Sequence, residues 1–290
     1  MRLAFLGTPD AAVPVLRALV DAGHDVAIVI TRPDRRRGRG GELSPSPVKA
    51  AALSLGLEVG HRLDDLDGLE VQRGIVVAYG AMIPAAVLEK TPMLNVHFSL
   101  LPRWRGAAPV ERAILAGDAE TGVGIMSLEE TLDTGPLHAE RRTDVDDKTA
   151  AQLTAELASL GAEALIEVLA SRELLENPTP QTGEATYAAK LTKETFHLEP
   201  TKPAVLLERT VRLGRAYTFL NGRRLRVLEG RFDSEGGDPG TLDERDGEIA
   251  LVANDGRVVL ERVQPEGSTA MSAKAWWTGA RLELAEARWA

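Results

Sequence analysis

The chain has 290 residues, 44% of them hydrophobic and 27% charged, with a net charge of −9 and no cysteine. That length holds one large or two ordinary domains, and the lack of cysteine excludes a disulfide, a thiolate zinc site and a thiol nucleophile. The negative charge argues against indiscriminate nucleic-acid binding, so a polyanionic partner would have to meet a local basic patch.

RLAFLG at 2–7 reads as a buried first strand. A helix should follow, with Val13, Leu16 and Val20 on one face, Asp10 as its cap and Gly23 as its stop. DVAIVI at 25–30 is a second strand, and strand, helix, strand predicts a parallel α/β sheet. The start of the chain lacks the apolar region and cleavage site of a signal peptide, and no apolar run is long enough to span a bilayer. A cytoplasmic chain with no membrane partner is therefore expected. The single Gly7 is not a dinucleotide-binding fingerprint.

Residues 31–49, TRPDRRRGRGGELSPSPVK, contrast with their surroundings. Arg32, Arg35, Arg36, Arg37, Arg39 and Lys49 stand against only Asp34 and Glu42. This composition fits a solvated loop, and it equally fits a phosphate-contacting arm whose arginine forks pair with a nucleic-acid backbone. Ser46-Pro47 is a helix start and Gly56 a stop, while residues 57–73 carry no readable chemistry. GIVVAYG at 74–80 is a buried strand ending in a turn.

The stretch from Leu94 to Leu137 has the layout of an active site. LNVHF places Asn95 and His97 on the same face of a strand, since side chains alternate there. If that strand lies in an open α/β sheet, its carboxyl end opens into the crevice where ligands bind. Taken singly, the histidine fits a structural residue and Asp133-Thr134-Gly135 an ordinary turn. The five histidines include no i, i+4 pair, which disfavours a metal mechanism, so no metal is expected.

PLHAERRT at 136–143 reads as an edge strand with a structural His138, and Thr149–Ala170 as a long helix covering the sheet. Residues 175–203 carry four prolines and many threonines, the texture of a linker. Beyond it, KPAVLLERTVRL is a helix and YTFLNGRRLRVLEG a hairpin around Asn221-Gly222. EIALVA and GRVVLERVQ add strands, and short strands with tight turns imply a small barrel or sandwich.

The run NVHFSLLPRWRGAAP, followed by AGDAETGVGIM and LDTG, resembles the signature of the 10-formyltetrahydrofolate-dependent formyltransferases. LGTPDAAVPVL, PSPVKAAA, VVAYGAMIP, TYAAKLTKE and AMSAKAWWTGAR resemble the same family in the same order, so the likeness spans nearly the whole chain. Two departures stand out: Phe98 where the family usually has a small residue, and the lack of an Asn-Pro-Trp-Pro type segment in the C-terminal part.

The resemblance implies a Rossmann-like, mostly parallel catalytic domain over 1–184, a linker over 185–202 and an OB-like β-barrel over 203–290. It implies that a formyl group passes from 10-formyltetrahydrofolate to the α-amino group of a methionyl initiator tRNA, with the protein acting as a monomer. Asn95 would hold the oxyanion, and His97 would donate to the same oxygen or relay a proton. Asp133 would orient the imidazole, favour its charged form or accept the amine proton through water. No covalent nucleophile is needed, because the donor is already activated. Ser99, Leu100, Leu101 and Pro102, with Ala78, Tyr79 and Gly80, would contact the folate. Arg35, Arg36, Arg37, Arg39 and Lys49 would contact the tRNA. Arg223, Arg224 and Arg226 fit either the tRNA side of the barrel or a solvated hairpin. A formyltransferase for a small amine, such as an amino-sugar nucleotide, is the enzyme alternative. A nucleic-acid-binding protein with a defunct α/β domain is the non-enzymatic one.

Overall fold

The computed structural model describes residues 1–37, 41–280 and 282–290, with Arg37 described by its backbone alone. Arg39 lies outside the described residues. The chain divides into two compact units: Met1–Val110 with Glu120–Asp144 and Leu153–Ala189, and Glu111–Ala119 with Val145–Gln152 and Lys190–Ala290.

The first unit is built on a seven-stranded sheet. In order across the sheet its strands are Leu137–Asp144, Glu120–Ser127, Met93–His97, Arg73–Val77, Arg2–Gly7, Asp25–Ile30 and Val59–Gly60. Five neighbours run parallel, from Met93–His97 through to Val59–Gly60. Glu120–Ser127 and Leu137–Asp144 extend the sheet with antiparallel pairings. The chain reverses its direction of progress across the sheet on either side of Arg2–Gly7, and such a switch point opens a crevice beyond the strands' carboxyl ends.

Strand alternation decides which side of this sheet carries chemistry. Val96 points away from Asn95 and His97 and meets the helix Ala150–Ala170, whose Gly161 sits against Val96 and Val123. Leu153, Leu157 and Leu165 of that helix are fully buried, each worth about 1.5–3 kcal/mol of apolar burial. One face of the strand is thus sealed, and Asn95 and His97 lie on the other.

Two local expectations are corrected. The helix Val13–Asp21, which follows a 3-10 turn at Asp10–Ala12, buries Val15, Leu16 and Leu19 rather than Val13, Leu16 and Val20. Asp10 belongs to that turn and caps nothing with its side chain. The Ser46 cap is present: its Oγ accepts the Lys49 N–H at 3.0 Å, with Pro47 opening the helix Pro47–Ser54.

The second unit carries an antiparallel sheet in the order Tyr217–Leu220, Arg223–Asp233, Gly256–Pro265, Glu248–Ala253 and Leu242–Arg245. Asn221 and Gly222 both take positive φ between the first two strands, the tight hairpin that their residue types favour. Register shifts between Val227 and Gly230 bend the long strand. The last residues join the two edges, with Leu220 bridging Trp289 and Thr241 bridging Arg288, so the sheet curls round on itself. Val227, Leu251, Val258, Val263, Trp276 and Trp289 fill the interior.

Candidate active site

The strand Met93–His97 is held on both sides, with Asn95 opposite Val76 on one neighbour and Met126 on the other. His97 is buried at its carboxyl end, and Asn95 is half-buried. Among the described residues nothing hydrogen-bonds the Asn95 carboxamide, which leaves its N–H groups for a ligand.

The loop after His97 folds back over the imidazole. Ser99 N–H donates to His97 O at 2.9 Å, and Ser99 Oγ, fully buried, donates to Arg103 O at 2.6 Å. Leu101-Pro102 is a cis peptide, and Trp104 takes φ +62°. The Trp104 carbonyl then lies 3.0 Å from His97 Nε2. A carbonyl only accepts, so Nε2 carries the hydrogen and Nδ1 is the nitrogen turned to the site. Nδ1 lies 3.8 Å from Asp133 Oδ2, too far for a direct hydrogen bond. The imidazole is therefore oriented by Trp104, and the carboxylate stands beside it.

Asp133 is buried at φ +53°, an unusual conformation for a residue with a side chain. Its Oδ2 accepts the Gly106 N–H at 2.7 Å. Gly106 can be only glycine: it takes φ +116°, and a Cβ would press on Ala188 O at 2.9 Å. Gly135, the end of the Asp-Thr-Gly turn, packs so closely on the Ser127 carbonyl that any side chain would collide with it.

A later segment stitches this corner together. Thr186 Oγ1 accepts Trp104 N–H at 2.9 Å, Thr186 O accepts Arg105 N–H at 2.9 Å, and Arg105–Gly106 pairs in parallel with Tyr187–Ala188. Gln181 Nε2 donates to Asp133 O at 3.0 Å and Gly135 O at 2.8 Å, while its Oε1 accepts from Arg105 Nε and Nη2 at 3.2 and 2.6 Å. Neither Gln181 nor Thr186 was singled out in the sequence. Arg105 and Gly106 lie inside the run that carries the family likeness, and Thr186 opens TYAAKLTKE.

Ala78, Tyr79 and Gly80 leave the neighbouring strand at the same carboxyl edge as His97. Ala78 takes φ +45° and is exposed, whereas the Tyr79 side chain is buried in the core beside Ala4, Leu6 and Val76. Burial pushes the Tyr79 hydroxyl pKa up, against the pull of Arg32. Only the backbone of this turn is open to a ligand. Two of its carbonyls are already engaged: Tyr79 O with Thr8 Oγ1 at 3.4 Å, and Gly80 O with the Arg32 guanidinium. Leu101 is buried, with Leu100 and Pro102 partly exposed.

The basic arm rises from the carboxyl end of the strand Asp25–Ile30 as two short antiparallel strands, Arg35–Arg37 and Glu42–Ser44. Arg35 and Arg36 are exposed. Lys49 is not part of the exposed set, because its ammonium donates to both carboxylate oxygens of Asp34 at 2.8 and 2.9 Å. It anchors the root of the arm. Among the described residues no group of three or more His, Cys, Asp or Glu side chains is arranged to hold a metal ion.

The likeness to known proteins runs along most of the chain. Residues 1–169 match the family described as formyl transferase, and residues 190–281 match the formyl transferase C-terminal domain. The chain is 43% identical over 299 aligned positions to the methionyl-tRNA formyltransferase of Roseobacter denitrificans, covering 98% of this chain and 97% of that one. Among solved structures it resembles WlaRD, a sugar 3N-formyl transferase, with a TM-score of 0.70 at 15% identity, covering 93% of this chain and 99% of that one. It also resembles a methionyl-tRNA formyltransferase from Clostridium thermocellum, with a TM-score of 0.56 at 15% identity, covering 89% and 99%. At such identities these two likenesses speak for the fold alone, while the family matches and the sequence identity run nearly end to end. The chain belongs to the formyl transferase family.

Proposed function

We propose that this protein transfers the formyl group of 10-formyltetrahydrofolate to the α-amino group of methionyl initiator tRNA. The observation that carries the choice of acceptor is the 43% identity to a methionyl-tRNA formyltransferase across both units. The fold does not discriminate, since the sugar enzyme gives the higher TM-score. A small amine would also give the exposed Arg35–Arg36 arm nothing to hold.

In this reading the amine attacks the formyl carbon, and the carbonyl oxygen takes negative charge that the unengaged Asn95 amide meets. Preorganised donors of this kind contribute on the order of a hundredfold or more. His97 acts through Nδ1, since Nε2 is occupied by Trp104. A water or amine hydrogen-bonded to both Nδ1 and Asp133 Oδ2 fits off the 3.8 Å line between them, so the amine proton has a route to the carboxylate. The proton taken from the amine is passed on to the tetrahydrofolate nitrogen as its bond to the formyl carbon breaks, and no covalent enzyme intermediate forms. Residues 99–102 and the backbone of 78–80 hold the folate, beside the switch point of the sheet.

Arg35, Arg36, Arg37 and Arg39 grip the tRNA phosphates, with Lys49 bracing their root. Residues 1–184 form the catalytic part and 185–202 the connection, whose first residues, 186–188, are tied back to the catalytic corner. Residues 203–290 are an OB-like barrel supporting tRNA binding, a reading favoured by the edge-to-edge closure through Trp289. Both substrates are water-soluble polyanions, which suits a cytoplasmic enzyme, taken here as a monomer; no described helix is long and apolar enough to cross a membrane. The test offers purified protein 10-formyltetrahydrofolate with methionyl initiator tRNA or with a nucleotide-linked amino sugar. Transfer to the tRNA is expected, and preferential formylation of the sugar would reverse the assignment.

A further inference from the structure

We infer that Gln181 is a positioning residue for the Asp133 carboxylate, acting through a closed ring of hydrogen bonds that also takes in Arg105 and Gly106. The inference rests on the reading of Asp133 given above and adds a residue outside the central motif. Asp133 has a backbone conformation that side chains disfavour, so something must hold its turn. Thr134 Oγ1 bonds only locally, to Thr131 O at 3.2 Å and Glu129 at 3.3 Å on the exposed side. On the buried side one amide nitrogen, Gln181 Nε2, bonds the two carbonyls that bracket the turn, Asp133 O and Gly135 O.

The orientation of the Gln181 amide follows from its partners. Carbonyl oxygens only accept and a guanidinium only donates, so nitrogen faces the turn and oxygen faces Arg105. Two guanidinium N–H groups on the amide oxygen polarise it and strengthen its N–H donors on the far side. Arg105 leads directly into Gly106, whose N–H holds Asp133 Oδ2. The ring therefore fixes the backbone of Asp133 through Gln181 and its carboxylate through Gly106, and one side chain ties the two. Loosening it by an ångström would move the carboxylate relative to His97 Nδ1 without touching either substrate.

The experiment is a double-mutant cycle by steady-state kinetics with 10-formyltetrahydrofolate and methionyl initiator tRNA. Gln181→Met keeps length and removes every hydrogen bond; Gln181→Glu keeps the acceptor for Arg105 but turns a carboxylate oxygen on the two carbonyls. Both should lower kcat by roughly ten- to a hundredfold with little change in either KM. Made on top of Asp133→Ala, the same changes should cost no more than about twofold, because the group they position is gone. Thermal melting identifies a variant that fails to fold, and the other then carries the cycle. Wild-type kcat in a folded Gln181 variant overturns the inference, as does an equal loss with and without Asp133, which marks a purely structural role. Normal turnover by Asp133→Ala alone overturns the reading of that carboxylate and the inference with it.

Discussion

The corner where Asp133 meets His97, and the basic arm, both lie at the carboxyl ends of parallel strands in one sheet and are built in opposite ways. The Asp133 loop reaches that edge from the strand Glu120–Ser127, whose last residue pairs with Leu94. Asp133 and Gly135 are buried, and the backbone of the corner is tied to residues 181–188 by at least six hydrogen bonds or bridges spread over Trp104, Arg105, Gly106, Asp133 and Gly135. The arm is two three-residue strands with exposed arginines, anchored mainly at its root by the Lys49–Asp34 pair. Acyl transfer requires donors fixed before the reaction, whereas phosphate recognition works through long-range charge and tolerates adjustment on contact.

The comparison breaks most visibly at the corner. Replacing Asn95, His97 or Asp133 with alanine should cut formyl transfer by at least about a hundredfold at saturating substrates, with the melting temperature held. Near-normal turnover in all three would defeat the assignment. Replacing Arg35, Arg36, Arg37 and Arg39 together should instead weaken tRNA affinity by roughly tenfold and flatten its salt dependence by about one logarithmic unit of slope per lost phosphate contact, leaving kcat nearly unchanged. Lys49→Ala should weaken affinity less and leave the salt slope alone, since that cation is already paired; a full unit of slope would show it reaching the RNA.

The smallest effect belongs to His138, buried between Ser127 Oγ and the Leu174 carbonyl at 2.8 Å each. Burial lowers its pKa from 6.5, helped by nearby Arg73 and opposed by the bond to Leu174. Below about pH 6.5 the unfolded chain therefore binds a proton that the folded chain resists, so stability falls as pH drops through that value. His138→Gln should flatten the melting temperature between about pH 7 and pH 5 by a few degrees. An unchanged slope would mean that other groups dominate the acid limb.

Local chemistry was legible in the sequence. Ser46-Pro47 capped its helix, Asn221-Gly222 turned its hairpin, and the apolar runs at 2–7, 25–30 and 74–77 became parallel strands, since each signal lies within a few residues of its effect. The strand Glu120–Ser127 carries no strand signal of its own, because Gly122 and Gly124 interrupt its alternation. The clip on Asp133 was invisible for another reason. Gln181 bonds a residue 48 positions away and Thr186 one 82 positions away, and in a run of prolines and threonines both look like spacer. The geometry of His97 was likewise out of reach, since its partner is a backbone carbonyl, which no residue type announces.

The threading of residues 178–188 past the site bears on how the protein can be dissected. A fragment ending at residue 169, where the first family match stops, would contain Asn95, His97 and Asp133 but neither Gln181 nor Thr186. Such a piece should dock folate poorly and turn over slowly for want of its seam, whereas one carried through Ala189 keeps every stitch. The downstream limit of the catalytic corner is thus set by where the last tie is made, well beyond the last reactive group.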